Sequence, residues 1–74
     1  MSRRPPLTVL RRRALLELDH ENWTTVTEIT RRLNLDHGLD HYRLALVLER
    51  LVVDGEADIK TPGSTVRRFR RRTA

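Results

Sequence analysis

The spacing of the apolar residues changes once along this chain, and that change sets the fold class. Up to residue 53 they recur at helical spacing in three segments, and after residue 55 they alternate with polar residues, as in strands. A chain of 74 residues has room for one hydrophobic core. We therefore expect a mainly α domain of the α+β class, with three helices and a small β-hairpin around one core.

The first apolar segment predicts a helix from Leu7 to Leu18, because its apolar residues fall on one face. Pro6 precedes this segment and is tolerated at a helix start. The apolar stripe consists of Leu7, Leu10, Ala14, Leu15 and Leu18. Trp23 follows in the connection, and we expect it to pack in the core.

Thr25 and Glu28 have the spacing of a capping box, in which the hydroxyl caps a first-turn amide and the carboxylate reaches back. They predict a second helix from about Val26 to Leu33. Asn34 follows where a left-handed residue ends a helix.

A third helix is predicted from about His41 to Val53. Asp40 is its expected N-cap, and Leu39 and Leu44 are expected to pack together as a hydrophobic staple. Gly55 ends the helix in the left-handed conformation. The residues expected in the core are Leu44, Val47, Leu48 and Leu51.

The remaining residues predict a hairpin with strands at 56–60 and 65–70. Thr61-Pro62-Gly63-Ser64 has Pro and Gly in the order of a type II turn. Side chains alternate along a strand, so Phe69 and Arg67 are expected on one face and Arg68 and Arg70 on the other. The expected domain covers 7–70, with a flexible basic arm at 1–6 and a flexible basic tail at 71–74.

The basic residues cluster at the two ends of the chain. Residues 1–13 and 67–72 each carry five arginines and no acid, whereas 14–66 carries all ten acids and five bases. Arginine binds phosphate and guanine edges in a forked geometry, so a polyanion held by the two ends is expected. Codon bias in a GC-rich genome also explains a preference for arginine, although it does not explain the clustering.

Composition excludes several other classes. The chain has no cysteine, which rules out disulfides, thiolate zinc sites and a cysteine nucleophile. Two serines and three glycines offer neither a catalytic triad nor a glycine-rich phosphate loop, so we expect no enzyme and no cofactor. A metal site at His37, Asp40 and His41 is disfavoured because no fourth ligand is evident. No apolar stretch is long enough to cross a bilayer and no signal peptide is visible, so a cytoplasmic, nucleoid-associated protein is expected.

The order of helix, helix, turn, helix and basic hairpin resembles the winged helix-turn-helix domain of small bacterial or phage regulators. Residues 25–35 are similar to the usual second helix and turn, and Asp54-Gly55-Glu56-Ala57 to the passage from the third helix into the wing. The resemblance covers about residues 7–70. It departs from the family in a longer turn between helices two and three, and in the acidic residues around helix three.

The resemblance implies binding of double-stranded DNA, in transcription regulation or DNA architecture. The third helix enters the major groove and the wing lies on the backbone or in the minor groove. Arg43 is then a candidate for a guanine edge, and His41 and Tyr42 for a base or phosphate. The phosphate or minor-groove candidates are Thr27, Arg31, Lys60, Ser64, Arg68, Arg70, and Arg3 and Arg4 of the arm.

Other interpretations of the same residues remain open. The third helix has an ordinary solvated face if Arg43 pairs with Asp40 or Glu49. Its acidic residues also suit a winged helix that binds a protein partner, and basic ends suit RNA as well as DNA. A homodimer is possible, with helix one as the expected interface.

Overall fold

The computed structural model describes residues 5–61 and 66–73. These residues form three helices and a three-stranded antiparallel sheet, so the predicted α+β class is confirmed and the layout is compatible with a winged helix. Arg3, Arg4, Ser64 and the central turn residues of the predicted hairpin lie outside the described residues. The elements are α1 (Leu7–Glu17), β1 (Thr24–Thr25), α2 (Val26–Arg32), α3 (Leu39–Val53), β2 (Ala57–Lys60) and β3 (Arg68–Arg71).

One apolar cluster joins the three helices to the inner face of the sheet. All four residues predicted for the third helix are buried in it, and so are three of the five predicted for the first. Of the other two, Leu15 is partly buried against the cluster and Leu7 is 53% exposed. The fully or almost fully buried members are Leu10, Ala14, Leu18, Ile29, Leu44, Val47, Leu48, Leu51, Ala57 and Phe69.

Helices α2 and α3 end in the same way, through a left-handed residue. Asn34 has φ 55° and Gly55 has φ 80°, as the sequence predicts. After α2, the Leu35 amide donates to the Thr30 carbonyl (3.0 Å), and after α3 the Glu56 amide donates to the Leu51 carbonyl (2.9 Å). These are the closing bonds of Schellman motifs, which satisfy the last carbonyls and turn the chain sharply.

Of the two hydrogen bonds expected in the capping box at the start of α2, the structure shows one. The Glu28 amide donates to Thr25 Oγ1 (3.2 Å), as expected of an N-cap. The Glu28 carboxylate instead accepts from the hydroxyl of Thr24 (3.1 Å). This second bond ties α2 to β1, since Thr24 belongs to that strand.

The predicted start of α3 is wrong. The helix begins at Leu39 with Gly38 as its N-cap, and the Gly38 amide donates to Asp36 Oδ1 (2.7 Å). This short turn starts the helix before Asp40, which lies in the first turn and is buried. The expected staple fails for the same reason, because Leu39 lies inside the helix and is half exposed.

The sheet has one strand more than predicted. β1 consists of two residues, which pair with the middle of β3: Thr24 lies opposite Phe69 and Thr25 opposite Arg68. The strand order is β1-β3-β2, so the last strand of the chain is the central one. Phe69 points to the core, as predicted.

β3 also begins and ends later than predicted. It covers Arg68–Arg71 instead of 65–70, so Arg71 belongs to the sheet and not to a flexible tail. The Arg71 amide donates to the Asp19 carbonyl (2.8 Å), and the Arg72 amide to the Glu56 carbonyl (3.0 Å). These two backbone hydrogen bonds fix Arg71 and Arg72 in the fold, although the sequence analysis assigns both to a flexible tail.

Candidate nucleic-acid interface

Arg43 does not face outward for base reading. Its guanidinium donates to the Pro5 carbonyl and lies 3.5 Å from the carboxylate of Asp40, which is 7% exposed. Pairing of Arg43 with Asp40, or else with Glu49, is what the sequence predicts if this helix face is simply solvated. Here, however, the pair is largely covered and connects the first turn of α3 to the residues before α1. Arg43 is therefore a structural residue in this conformation.

The structure brings other predicted contact residues together where α2 meets α3. Thr27 Oγ1 lies 3.5 Å from His41 Nε2, so the exposed ends of the two side chains meet across the helix pair. Arg31 is one turn from Thr27 on α2 and is exposed, without an ion-pair partner among the described residues. Tyr42 follows His41 and is 61% exposed. We call these four residues the helix-pair face.

Exposed apolar residues occupy much of the rest of the outward side of α3, beside Glu49 and Arg50. Leu39, Leu46 and Val53 are between 46% and 75% exposed. Leu46 also lines an open groove of about 210 Å³ between α1 and α3, together with Leu7, Thr8, Arg11, Val47 and Arg50. The exposed apolar side chains offer no groups for base edges or phosphates, and Arg43 is held within the molecule, so α3 presents fewer DNA contacts than the sequence predicts.

The outer face of the sheet carries a group of three cations. In the register, Lys60 lies opposite Arg68 and Asp58 opposite Arg70. Paired residues share a face, and Phe69 between the two arginines points to the core, so these four side chains lie on the solvent side. The predicted separation of Arg68 and Arg70 from Phe69 is thus confirmed.

Trp23 completes this surface, and the sequence did not predict that role. Its indole ring lies under Lys60 Nζ and under the Arg70 guanidinium carbon, each 4.4 Å from the ring centroid. The prediction that Trp23 packs in the core is wrong, because it is half-buried on the outside of the sheet. Trp23 precedes Thr24, which pairs with Phe69, and so comes beside Arg70. We call Trp23, Asp58, Lys60, Arg68 and Arg70 the sheet face.

Several arginines of the two basic ends are neutralised within the molecule. Arg11 pairs with Asp54 (2.8 Å) and Glu56 (2.6 Å). Arg67 pairs with Glu49 of α3, and Arg72 with Asp58 (2.9 Å). Arg12, Arg13 and Arg68, by contrast, have no carboxylate partner among the described residues. The charge available to a polyanion is therefore less than the count of arginines predicts.

The loop before β1 is organised by one carboxylate. Hydrogen bonds from the Glu21 amide and the Asn22 side chain lower the pKa of Asp19 below its ordinary value of 3.8. The Asp19 carbonyl also accepts from the Arg71 amide. This loop therefore fixes the entry of the chain into Trp23 and β1.

Within 5–61 and 66–73, no group of three or more His, Asp or Glu side chains is placed to hold a metal ion. No helix in that part of the chain is long and apolar enough to cross a membrane.

Comparison of the sequence and structure with protein-family models, curated proteins and solved structures finds no match in any of the three.

Proposed function

We propose that this chain binds double-stranded DNA with limited sequence preference, as a winged-helix regulator or DNA-architectural factor. It would act without catalysis or a cofactor, in the cytoplasm at the nucleoid. In this proposal α3 approaches the major groove, and the cations of α2 and the sheet lie on the backbone.

The contact between Thr27 and His41 is the observation that carries the proposal. It joins predicted contact residues from two helices on an exposed surface, where Arg31 lies one turn from Thr27 and Tyr42 follows His41 along α3. A hydroxyl, an imidazole, a guanidinium and a phenol together provide donors for phosphates and base edges. The free energy of binding would come mainly from phosphate contacts, because these dominate affinity in protein–DNA complexes.

The position of Arg43 limits the expected specificity. A guanidinium held by Pro5 and Asp40 is not available to a guanine edge. His41 and Tyr42 are then the base-reading candidates on α3, and neither has the forked geometry of arginine. We therefore favour partial sequence preference over recognition of a single defined site.

The proposal is tested by titrating the protein onto labelled duplexes at several salt concentrations. We expect the logarithm of the association constant to fall linearly with the logarithm of the salt concentration. Arg31→Ala should reduce that slope by about 0.9, the value for one phosphate contact. Tyr42→Ala should reduce the preference for the best duplex over a random one.

Two variants serve as controls. Arg12→Ala removes the same charge as Arg31→Ala from an exposed position on α1, which is not among the proposed contact elements, and should change the slope less. Arg43→Met should leave the affinity of the folded protein unchanged. A native protein that does not bind duplex at low salt would refute the proposal, and so would an Arg31→Ala slope equal to that of the native protein.

A second candidate function, binding to a protein, is favoured by the apolar surface of α3. Leu46 and Leu7 are exposed beside one groove, next to the α1 surface that we expect to form a homodimer interface. Light scattering over a range of protein concentrations tests this against DNA binding. A mass that rises towards the dimer in native protein, but not in Leu46→Lys, would favour the second candidate; a concentration-independent monomer would count against self-association.

A further inference from the structure

One side of α3 carries exposed apolar side chains from the first residue of the helix to the last. Four of them are between 46% and 75% exposed, namely Leu39, Tyr42, Leu46 and Val53. Their spacing of three, four and seven residues is the heptad spacing with which helices pair in coiled coils. At about 100° per residue, all of them lie within about 40° of the direction of Leu46. Glu49 and Arg50 complete this side, and we call the six residues the α3 stripe.

The α3 stripe is suited to contact with another protein, because its apolar members lie in one row. Apolar residues scattered singly over a surface are normal, whereas a row of them on one helix face is typical of an interface. The helix also carries two acids and two arginines, so it has no excess charge in a chain of net charge +5. Two copies of the chain therefore repel one another less when they approach through α3 than through the arginine-rich ends.

Two copies of the stripe match when the helices pack antiparallel with a two-fold axis at Leu46. Leu46 then meets its own copy, and Leu39, seven residues before it, meets Val53, seven residues after it. Tyr42 and Glu49 lie on the same flank of the stripe, and this axis brings them opposite each other. The phenol then donates to the carboxylate, and each contact occurs twice because the interface is isologous.

Charge selects the antiparallel orientation. In a parallel pair, Glu49 would lie beside Glu49 of the other copy, and Arg50 beside Arg50, so that like charges repel. In the antiparallel pair the two Glu49 residues are about 9 Å apart along the helix axis, at 1.5 Å per residue. The Glu49 carboxylate also pairs with Arg67 of its own chain, which leaves acceptor sites for the phenol.

We infer that the α3 stripe is a self-association surface, on which a second copy of this chain packs its own α3 antiparallel, and that this dimer is the form without DNA. The major groove is about 12 Å wide and a helix with its side chains is about 10–12 Å across, so an α3 covered by another cannot enter it. The competition rests on the proposed function, whereas the pairing of α3 does not. The contact differs from the α1 interface that the sequence predicts, and it makes the protein concentration a regulator of DNA binding.

Sedimentation velocity of native protein at several protein and salt concentrations tests the pairing. We expect the mass to rise from monomer to dimer with protein concentration, and the dimer to be more stable at high salt, because salt screens the repulsion between two chains of net charge +5. DNA binding has the opposite salt dependence. Val53→Ser should weaken the dimer, whereas Leu16→Ser, which removes a similarly exposed apolar residue from α1, should not. A monomer at every concentration, or a dimer that depends on Leu16 as much as on Val53, would overturn the inference.

The chain has no cysteine, so the contact can be mapped by cross-linking single introduced thiols. In helices packed about 8–10 Å apart, Cα atoms that face each other are about 3.5–5.5 Å apart, because each is about 2.3 Å from its axis. A disulfide needs about 4.4–6.8 Å, so Leu46→Cys on the two-fold axis should oxidise rapidly to a covalent dimer. Leu16→Cys, at an exposed position on α1, is the matched control and should oxidise more slowly.

The orientation requires a pair of variants. Leu39→Cys mixed with Val53→Cys should give a disulfide-linked heterodimer, because these two positions meet only in the antiparallel pair. Each variant alone should give little covalent dimer. Cross-linking of Leu39→Cys to itself, as fast as in the mixture, would contradict the antiparallel arrangement.

Competition with DNA is measured on the Leu46→Cys protein before and after oxidation, so that both states have the same sequence. The oxidised dimer should bind labelled duplex at least about tenfold more weakly, since the apparent affinity falls with the fraction of protein in the competent form. Reduction should restore binding. The oxidised Leu16→Cys dimer, which leaves α3 uncovered, should bind at least as tightly as its reduced form. Equal affinities of oxidised and reduced Leu46→Cys would refute the competition.

If Leu46→Cys does not fold, Tyr42→Phe tests the same contact. Removing the phenol hydroxyl takes two hydrogen bonds from the dimer and should raise its dissociation constant about fivefold or more. A Tyr42→Phe dimer as stable as the native one would count against the contact with Glu49.

The outcomes separate this inference from the proposed function. Native protein that binds duplex, stays monomeric and gives no faster oxidation of Leu46→Cys than of Leu16→Cys would overturn the inference and leave the proposed function standing. Native protein that dimerises through Leu46 and binds no duplex would support the pairing of α3 and refute the proposed function.

Discussion

Phe69 should be the residue on which docking of the sheet to the helices depends most. It is 1% exposed, lies in the central strand, and pairs with Thr24 on one side and Ile59 on the other. Truncation of a buried phenylalanine to alanine costs about 3–5 kcal/mol. At about 0.05–0.15 kcal/mol per residue, a chain of 74 residues has an unfolding free energy of about 4–11 kcal/mol. Phe69→Ala should therefore remove about a quarter or more of the total stability.

Ile59→Ala is the matched control, since Ile59 lies opposite Phe69 but is 40% exposed. Its cost should be about 1–2 kcal/mol, because only part of the side chain leaves an apolar environment. Urea unfolding followed by circular dichroism and by Trp23 emission measures both. Equal destabilisation by the two variants would refute the packing of Phe69 described above, and with it the means by which the sheet face is held against the helices.

Three smaller perturbations have outcomes that the structure defines. Thr25→Ala should cost about 1 kcal/mol by leaving the Glu28 amide uncapped, and Thr25→Ser should restore most of it in thermal unfolding; an alanine variant as stable as native would contradict the cap. Gly55→Ala should cost about 1–2 kcal/mol through its positive φ alone, because the added Cβ would meet only the end of the Arg72 side chain at 3.5 Å; no loss of stability in urea would contradict this. Asp19 has a lowered pKa, so its contribution to stability is present above its unfolded pKa near 3.8 and is lost as the pH falls through the lower folded value. An NMR titration of its carboxyl carbon that gave an ordinary pKa would contradict the loop structure.

The helix ends were predictable from sequence because their signals are local. Asn34 and Gly55 adopt the left-handed conformation that these residue types tolerate, and Thr25 caps α2 within three residues of its partner. The core of α3 followed from periodicity, which acts within one helix. Asp40 misled the prediction because aspartate is favoured both as an N-cap and in the first turn, and the turn at Asp36 and Gly38 decides between them.

The candidate site was less predictable because it depends on contacts between distant residues. Nothing near Arg43 in sequence indicates that the Pro5 carbonyl will hold it. The place of Trp23 depends on the register of β1 against β3, and a two-residue strand has too little pattern to set a register. Thr24 and Thr25 are β-branched, which favours strands, but the same residues also suit a helix cap.

The order of strands has a consequence for how the chain folds as it is synthesised. The helices are complete at residue 53, but the central strand of the sheet comes after residue 67. Until β3 leaves the ribosome, β1 and β2 have no strand between them, and the apolar surface that Phe69 covers stays open to water. Closing the sheet then requires contacts across more than forty residues, between β3 and Thr24. Pairings of such long range are slow relative to helix formation. A nascent chain without β3 therefore leaves part of the core exposed to water, and addition of this arginine-rich strand covers it.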